Sequence, residues 1–208
     1  MKKALIWDLD GTLFDSYGVI VDSIFLTFQE CGIEMSIDEI HHHAINFSIK
    51  SLFASVAGVW GVSPEHLHAR YSQISSGKYL EIKPMINALE TLQELSKSGV
   101  EHYVFTHRGK TTMPVLENLG MTAFFKDVIT SQSGFPRKPS PEGIIFLLKK
   151  YGLDQNNTYY VGDRSLDMEC AKNAGIPGIL FLPQGSIDVS GGAESYIVHE
   201  LLEIQNII

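Results

Sequence analysis

Residues 5–16 read Leu5-Ile6-Trp7-Asp8-Leu9-Asp10-Gly11-Thr12-Leu13-Phe14-Asp15-Ser16. A short apolar run drives straight into two carboxylates one residue apart, and a glycine follows them. Such a run predicts a buried strand of a parallel sheet. Ligands of open α/β sheets bind outside the carboxyl ends of the strands, so Asp8 falls where the strand ends and Asp10 just beyond it. Two carboxylates this close repel unless a cation or a shared proton relieves them. All-oxygen, highly charged ligands suit Mg²⁺. A bare D-x-D-G tetrapeptide also fits an acidic surface turn, since Asp and Gly are common turn residues. The full D-L-D-G-T-L-F-D-S string is far more specific.

Outward from this strand the texture changes. Ile20, Ile24 and Phe28, with Val21 and Phe25, recur at helical spacing as far as Gly32. Ser36-Ile37-Asp38-Glu39 fits a capping box that opens another helix. Ile45, Ile49, Leu52, Phe53 and Val56 continue an apolar face. Ser63-Pro64 reads as an N-cap followed by proline at the first helical position. No strand-like alternation interrupts residues 15–81, which predicts an all-helical insert.

From Pro84 onward strands and helices alternate. An amphipathic helix carrying Met85, Ala88, Leu89, Leu92 and Leu95 closes at Gly99. Strands are expected at 100–105, 127–130, 158–161, 178–182 and 195–198, with helices at 112–119, 140–151 and 166–174 and a last helical turn at 201–204. This pattern predicts an α/β protein, a Rossmann-like parallel sheet with a small helical domain inserted after the first strand. The core comprises residues 1–14 and 82–208, and the insert residues 15–81.

Composition sets the outer bounds. At 208 residues the chain can hold one good core plus a small accessory domain. Hydrophobic residues make up 44% and charged residues 19%, as in an ordinary soluble globular protein. The net charge of −8 disfavours nucleic acid and anionic membrane as partners. It leaves room for a phosphorylated substrate held by a local cluster of cations. The two cysteines, Cys31 and Cys170, are far apart, which argues against a structural disulfide and fits a reducing cytoplasm. No apolar stretch reaches membrane-spanning length, and the run after Lys3 is too short for a signal-peptide core. Composition says nothing of oligomeric state.

Four chemically loaded points fall after four of the expected strands: Asp8 with Asp10, Thr106, Lys138, and Asp163 with Asp167. Their order and spacing resemble the four motifs of the haloacid dehalogenase superfamily, most of whose members are Mg²⁺-dependent phosphatases. The resemblance covers the whole chain, the fold it implies is the one expected above, and the helical insert resembles the cap of one subclass. Within the family the chain looks most like its phosphoglycolate phosphatase-like members. The resemblance implies that Asp8 is the nucleophile, giving an aspartyl-phosphate, and that Asp10 is the general acid and base. It implies Mg²⁺ held by Asp8, Asp163 and the main-chain carbonyl of Asp10, with Asp167 either a direct ligand or, the favoured option, a support. Thr106 and nearby backbone N–H groups would hold phosphoryl oxygens, and Lys138 would neutralise Asp8 and phosphate.

Taken singly, each later point has a plain structural reading: a strand-end hydroxyl, a solvated lysine, a charged helix start. Together and in order they favour the chemistry. One departure stands out. Many relatives carry Asn after the second-motif Thr, and here His107 and Arg108 follow. The His107 N–H still suits phosphate. Arg108, Arg137 and Arg164 neighbour motif residues, where a guanidinium either binds a second anionic group of the substrate or pairs with local acids. Cap residues near 46–50 face substrate in the family, which makes Ser48 and Lys50 candidates. Hinges are expected near Phe14-Asp15 and Glu81-Pro84, with closure excluding water. His41-His42-His43 fan out around a helix and cannot converge on one ion. The rival readings are a sugar-phosphate mutase and a non-catalytic binder of a phosphorylated metabolite. A haloacid dehalogenase or phosphonate hydrolase is disfavoured by the presence of Asp10.

Overall fold

The apolar run Ala4–Trp7 forms β1, buried along its whole length. In the computed structural model, residues 2–186 and 189–208 are described. The chain divides into two compact units, one of residues up to Asp15 together with Pro84 onward, the other Ser16–Lys83. Short strands β2 (Phe14–Asp15) and β3 (Lys83–Pro84) mark the two places where the chain passes between them.

The second unit is helical: α1 (Tyr17–Glu30), α2 (Ile37–Asn46), α3 (Ile49–Trp60) and α4 (Pro64–Lys78). Ser36 and Glu39 form the expected capping box, and Ser63 caps α4 with Pro64 in its first turn. The apolar face expected to run on past Ile45 is broken at Phe47 and Ser48. Ser48 accepts the Ser51 N–H and starts a new helix, so α2 and α3 are separate. Ile24, Phe28, Ile40, Leu52, Phe53 and Leu67 build this unit's core.

The first unit continues with α5 (Ala88–Lys97), β4 (Glu101–Phe105), α6 (Thr112–Asn118), β5 (Phe125–Ile129), α7 (Glu142–Tyr151), β6 (Thr158–Gly162), α8 (Ser165–Ala174), β7 (Gly178–Phe181) and β8 (Tyr196–Val198). A 3₁₀ stretch, Leu201–Asn206, follows. Met85 lies in a turn ahead of α5 rather than within it. Pro114 stands in the first turn of α6, where its missing N–H costs nothing.

The strands pair in parallel in the order β5-β4-β1-β6-β7-β8. The chain moves outward from β1 through β4 to β5, then returns to the other side of β1 as β6. The crevice of such a sheet opens where the direction reverses, between β1 and β6. Burial on both faces explains the unbroken apolar texture of β1. Ala4 and Ile6 pack with Tyr103, Phe105, Ile144, Leu147 and Met168, while Leu5 and Trp7 are equally buried on the other face.

That other face holds a buried imidazole. Trp7 Nε1–H donates to His102 Nδ1 at 3.0 Å, which requires a neutral ring. Burial lowers His102 from 6.5 to about 4. Unfolded, His102 takes a proton near 6.5, so its contribution is complete above that pH and is lost as the pH falls toward 4. The loss is on the order of 3 kcal/mol. Denaturant midpoints measured from pH 7 to 4 should fall, and His102→Gln should flatten part of that slope.

Candidate active site

Two of the expected acids converge on the ammonium of a third expected residue. Lys138 Nζ lies 2.8 Å from Asp8 Oδ1 and 2.7 Å from Asp167 Oδ1. Its side chain is 3% exposed and that of Asp167 2%. Aromatic rings wall it in, with Nζ 5.6 Å from the Phe105 centroid and 5.2 Å from that of Tyr160. The Tyr160 hydroxyl donates to the Phe105 carbonyl at 2.7 Å, fixing one wall to the other.

Two of the acids are placed by strands and the third by a helix. Asp8 follows β1 and its N–H still bonds the Val161 carbonyl of β6 at 2.8 Å. Asp163 follows β6 and accepts Thr12 Oγ1–H at 3.1 Å. Asp167, in the first turn of α8, turns Oδ2 back to the Arg164 N–H at 3.2 Å. Carboxylate oxygens of Asp8, Asp163 and Asp167 lie within 4.8 Å of one another. Three buried carboxylates against one buried ammonium leave an excess of negative charge. All-oxygen donors with that excess fit a hard divalent cation. Burial pushes Asp8 up to about 6, against the pull of Lys138, and Asp167 and Asp10 add to the rise. Burial opposes the charge on Lys138, but Asp167 and Asp8 outweigh it and hold its pKa above the usual lysine range.

The loop after Asp8 turns sharply. The Leu9 carbonyl accepts the N–H groups of Thr12, Leu13 and Phe14, and Gly11 takes φ +80°, a conformation open to glycine. This turn sets Asp10 beside Arg108, whose Nη2 lies 2.6 Å from Oδ1. Of the two readings of Arg108, the structure displays the pairing with an acid.

Thr106, buried just past β4, accepts the Arg108 N–H on Oγ1 at 3.2 Å. The His107 imidazole turns toward the lysine loop, and its Nε2 accepts the Lys138 N–H at 2.7 Å. Burial first, then Lys138, Arg137 and Arg164, lower His107 to about 2, so the ring stays the neutral acceptor this bond needs. Lys138 stands nine residues past the end of β5, so a loop rather than the strand end delivers it. Ser48 and Lys50 belong to the helical unit, where Ser48 serves as the cap of α3 and Lys50 is exposed.

Four contributors escape sequence reading. Thr12 stood in the quoted string, and its hydroxyl was the available signal. Thr111, whose Oγ1 accepts Arg108 Nη1–H at 2.9 Å, and Tyr160 gave none. Gly162 ends β6, and a Cβ there would meet Asp167 Cβ and Cγ at 2.5 Å. Gly162→Ala should therefore displace Asp167 from Lys138. We expect a stability loss of about 1–3 kcal/mol, together with a fall in kcat, read by denaturation and steady-state kinetics.

With this geometry in hand, similarity to known proteins is informative. The family model for haloacid dehalogenase-like hydrolases matches residues 5–181. The chain belongs to that family and is an enzyme of the hydrolase class. Phosphoglycolate phosphatase of Agrobacterium fabrum is 30% identical over 189 residues, 86% of this chain and 80% of that one. Pyrophosphatase PpaX of Bacillus velezensis is 26% identical over 209 residues, 98% of this chain and 95% of that one. A haloacid dehalogenase-like family hydrolase from Streptococcus pneumoniae shares the fold with a TM-score of 0.82 at 23% identity, over 99% of this chain and 98% of that one. Among the described residues no helix is long and apolar enough to cross a membrane.

Proposed function

We propose that this chain is a Mg²⁺-dependent phosphatase that hydrolyses a small phosphate monoester through an aspartyl-phosphate on Asp8. The observation that carries the reading is the position of Asp8. It lies at the sheet's switch point, paired with a buried lysine and part of an acidic cluster able to hold a divalent cation. Relatives named as phosphoglycolate phosphatase and pyrophosphatase support a small phosphorylated substrate.

An Asp8 carboxylate oxygen attacks phosphorus, and the P–O bond to the leaving group breaks. Asp10 gives the departing alkoxide a proton. It then takes one from the water that attacks the phosphorus of the aspartyl-phosphate, and inorganic phosphate and free Asp8 result. Thr106 and the N–H groups around it bind phosphoryl oxygens, and Lys138 offsets their charge. Asp8, Asp163 and the main-chain carbonyl of Asp10 would hold Mg²⁺. Asp167 has both oxygens engaged, by Lys138 and by the Arg164 N–H, which favours a supporting role for it. Mg²⁺ bound there lets an anionic carboxylate meet an anionic phosphate.

The test is hydrolysis of p-nitrophenyl phosphate and a panel of small esters, including phosphoglycolate and β-glucose 1-phosphate, with Mg²⁺ and with EDTA. Turnover that needs Mg²⁺ is expected. Isomerisation of the sugar phosphate without hydrolysis would move the assignment to a mutase. Binding of the esters without conversion would make the protein a binder.

A further inference from the structure

The guanidinium of Arg108 is committed to Asp10. Nε donates to Oδ1 at 3.0 Å and to Oδ2 at 3.2 Å, and Nη2 donates to Oδ1 at 2.6 Å. The guanidinium is itself fixed. Nη1 donates to Thr111 Oγ1 at 2.9 Å, and Cζ lies 5.8 Å from the centroid of the Phe14 ring. The Arg108 N–H bonds Thr106 Oγ1, which ties the same residue to the buried threonine just past β4. Arg108 is 11% exposed at its side chain and Asp10 24%. A short, partly exposed aspartate swings among rotamers unless something holds it, and a planar fork with fixed partners is suited to that task. The bonds are also unequal. Oδ1 receives two, including the shortest, while Oδ2 receives one, the longest of the three.

We infer that Arg108 is a positioning residue for Asp10, locking the carboxylate through Oδ1 and presenting Oδ2 to the proton of the leaving group and of water. Arg108 thus acts on the reaction through Asp10 and not by binding a second anionic group of the substrate. The inference rests on the reading of Asp10 as the group that moves that proton. It also gives a physical reason for an arginine two residues beyond Thr106: only a fork reaching back across the strand end grips both oxygens at once.

The experiment compares wild type, Arg108→Ala, Arg108→Lys, Thr111→Val, Asp10→Asn and the Asp10→Asn/Arg108→Ala double variant. Each is assayed on p-nitrophenyl phosphate, on the phosphate monoester of an uncharged alkyl alcohol and on phosphoglycolate, with Mg²⁺. Nitrophenolate leaves readily without a proton, whereas an alkoxide needs one. Arg108→Ala is expected to lower kcat/KM, which reports the steps through loss of the leaving group, about 10- to 100-fold more on the alkyl ester than on the nitrophenyl ester, within the range of general-acid effects. KM should change little on any substrate. Arg108→Lys should recover part of the kcat/KM, Thr111→Val should show a weaker loss with the same leaving-group dependence, and the double variant should be no slower than Asp10→Asn. Should Arg108→Ala not fold, Arg108→Lys and Thr111→Val carry the same comparison. A KM increase confined to phosphoglycolate, or equal losses of kcat/KM on both leaving groups, would overturn the inference. Full activity of Asp10→Asn on the alkyl ester would instead overturn the role of Asp10 itself.

Discussion

Asp8→Asn is expected to abolish ester hydrolysis while leaving the fold intact or more stable. An amide offers no carboxylate oxygen to attack phosphorus, and kcat/KM should fall by about 10⁴-fold or more, the scale on which removal of a nucleophile acts. The stability effect has the opposite sign. Burial holds Asp8 up to about 6, so above that pH the fold carries an ionised group that it disfavours. The sign follows from proton linkage. Between pH 3.8 and about 6 the folded state binds more protons than the unfolded one, so stability falls as the pH rises through that window and stays lower above it. Asparagine keeps an oxygen to accept from Lys138 and removes the charge. In chelator at pH 7.5 the variant should therefore match or exceed wild type, by on the order of 1 kcal/mol. Added Mg²⁺ should raise the melting temperature of wild type and much less that of Asp8→Asn. Turnover that survives in the variant would sink the mechanism. An inactive variant that melts far below wild type in EDTA would mean that Asp8 is structural, and the comparison separates the two.

The strand-to-acid transition at Trp7-Asp8 was legible because parallel strands buried on both faces have a texture of their own, and because the sheet rule says where their ends point. Helix starts at Ser36 and Ser63 were legible for a similar reason, since a cap is a local device written in neighbouring residues. What stayed hidden was long-range. The sequence separates Arg108 from Asp10 and His107 from Lys138, and spacing alone cannot say which way a side chain turns. His107 was noticed for replacing the family's usual residue, yet its imidazole serves the Lys138 backbone, a task visible only once the two loops meet. Lys138 lies nine residues past β5, and its arrival at Asp8 is a property of the loop path. Gly162 offers no signal in the sequence, and its importance comes from the volume that Asp167 fills. The break at Phe47-Ser48 was missed because an apolar face can run in register across two helices, whereas the Ser48 cap depends on one φ/ψ choice.

Lys138→Met should produce the largest combined loss. The methionine fills a similar volume between Phe105 and Tyr160 but leaves Asp8 and Asp167 without their shared cation. Breaking a buried ion pair by removing one partner costs about 3–5 kcal/mol, far more than the pair contributes when intact, because the remaining charges have no counter-ion. In chelator the variant should therefore unfold at a much lower denaturant concentration than wild type. Three carboxylates crowded within 4.8 Å of one another then remain with no ammonium. A divalent cation relieves more repulsion there than in wild type, so Mg²⁺ should stabilise Lys138→Met by a larger increment, by the ordinary linkage of ligand to fold. Activity should not return with stability. The phosphoryl oxygens lose the fixed positive charge that offsets them, and kcat should stay down by about 10²- to 10³-fold even at saturating Mg²⁺. Adding Asp167→Asn to Lys138→Met removes one of the orphaned charges and should recover part of the stability in chelator with no gain in turnover. That split is the decisive feature. If Lys138 served only to hold the acids apart, metal or the second substitution would restore function along with the fold. If it also meets the phosphate, the restored fold stays inactive.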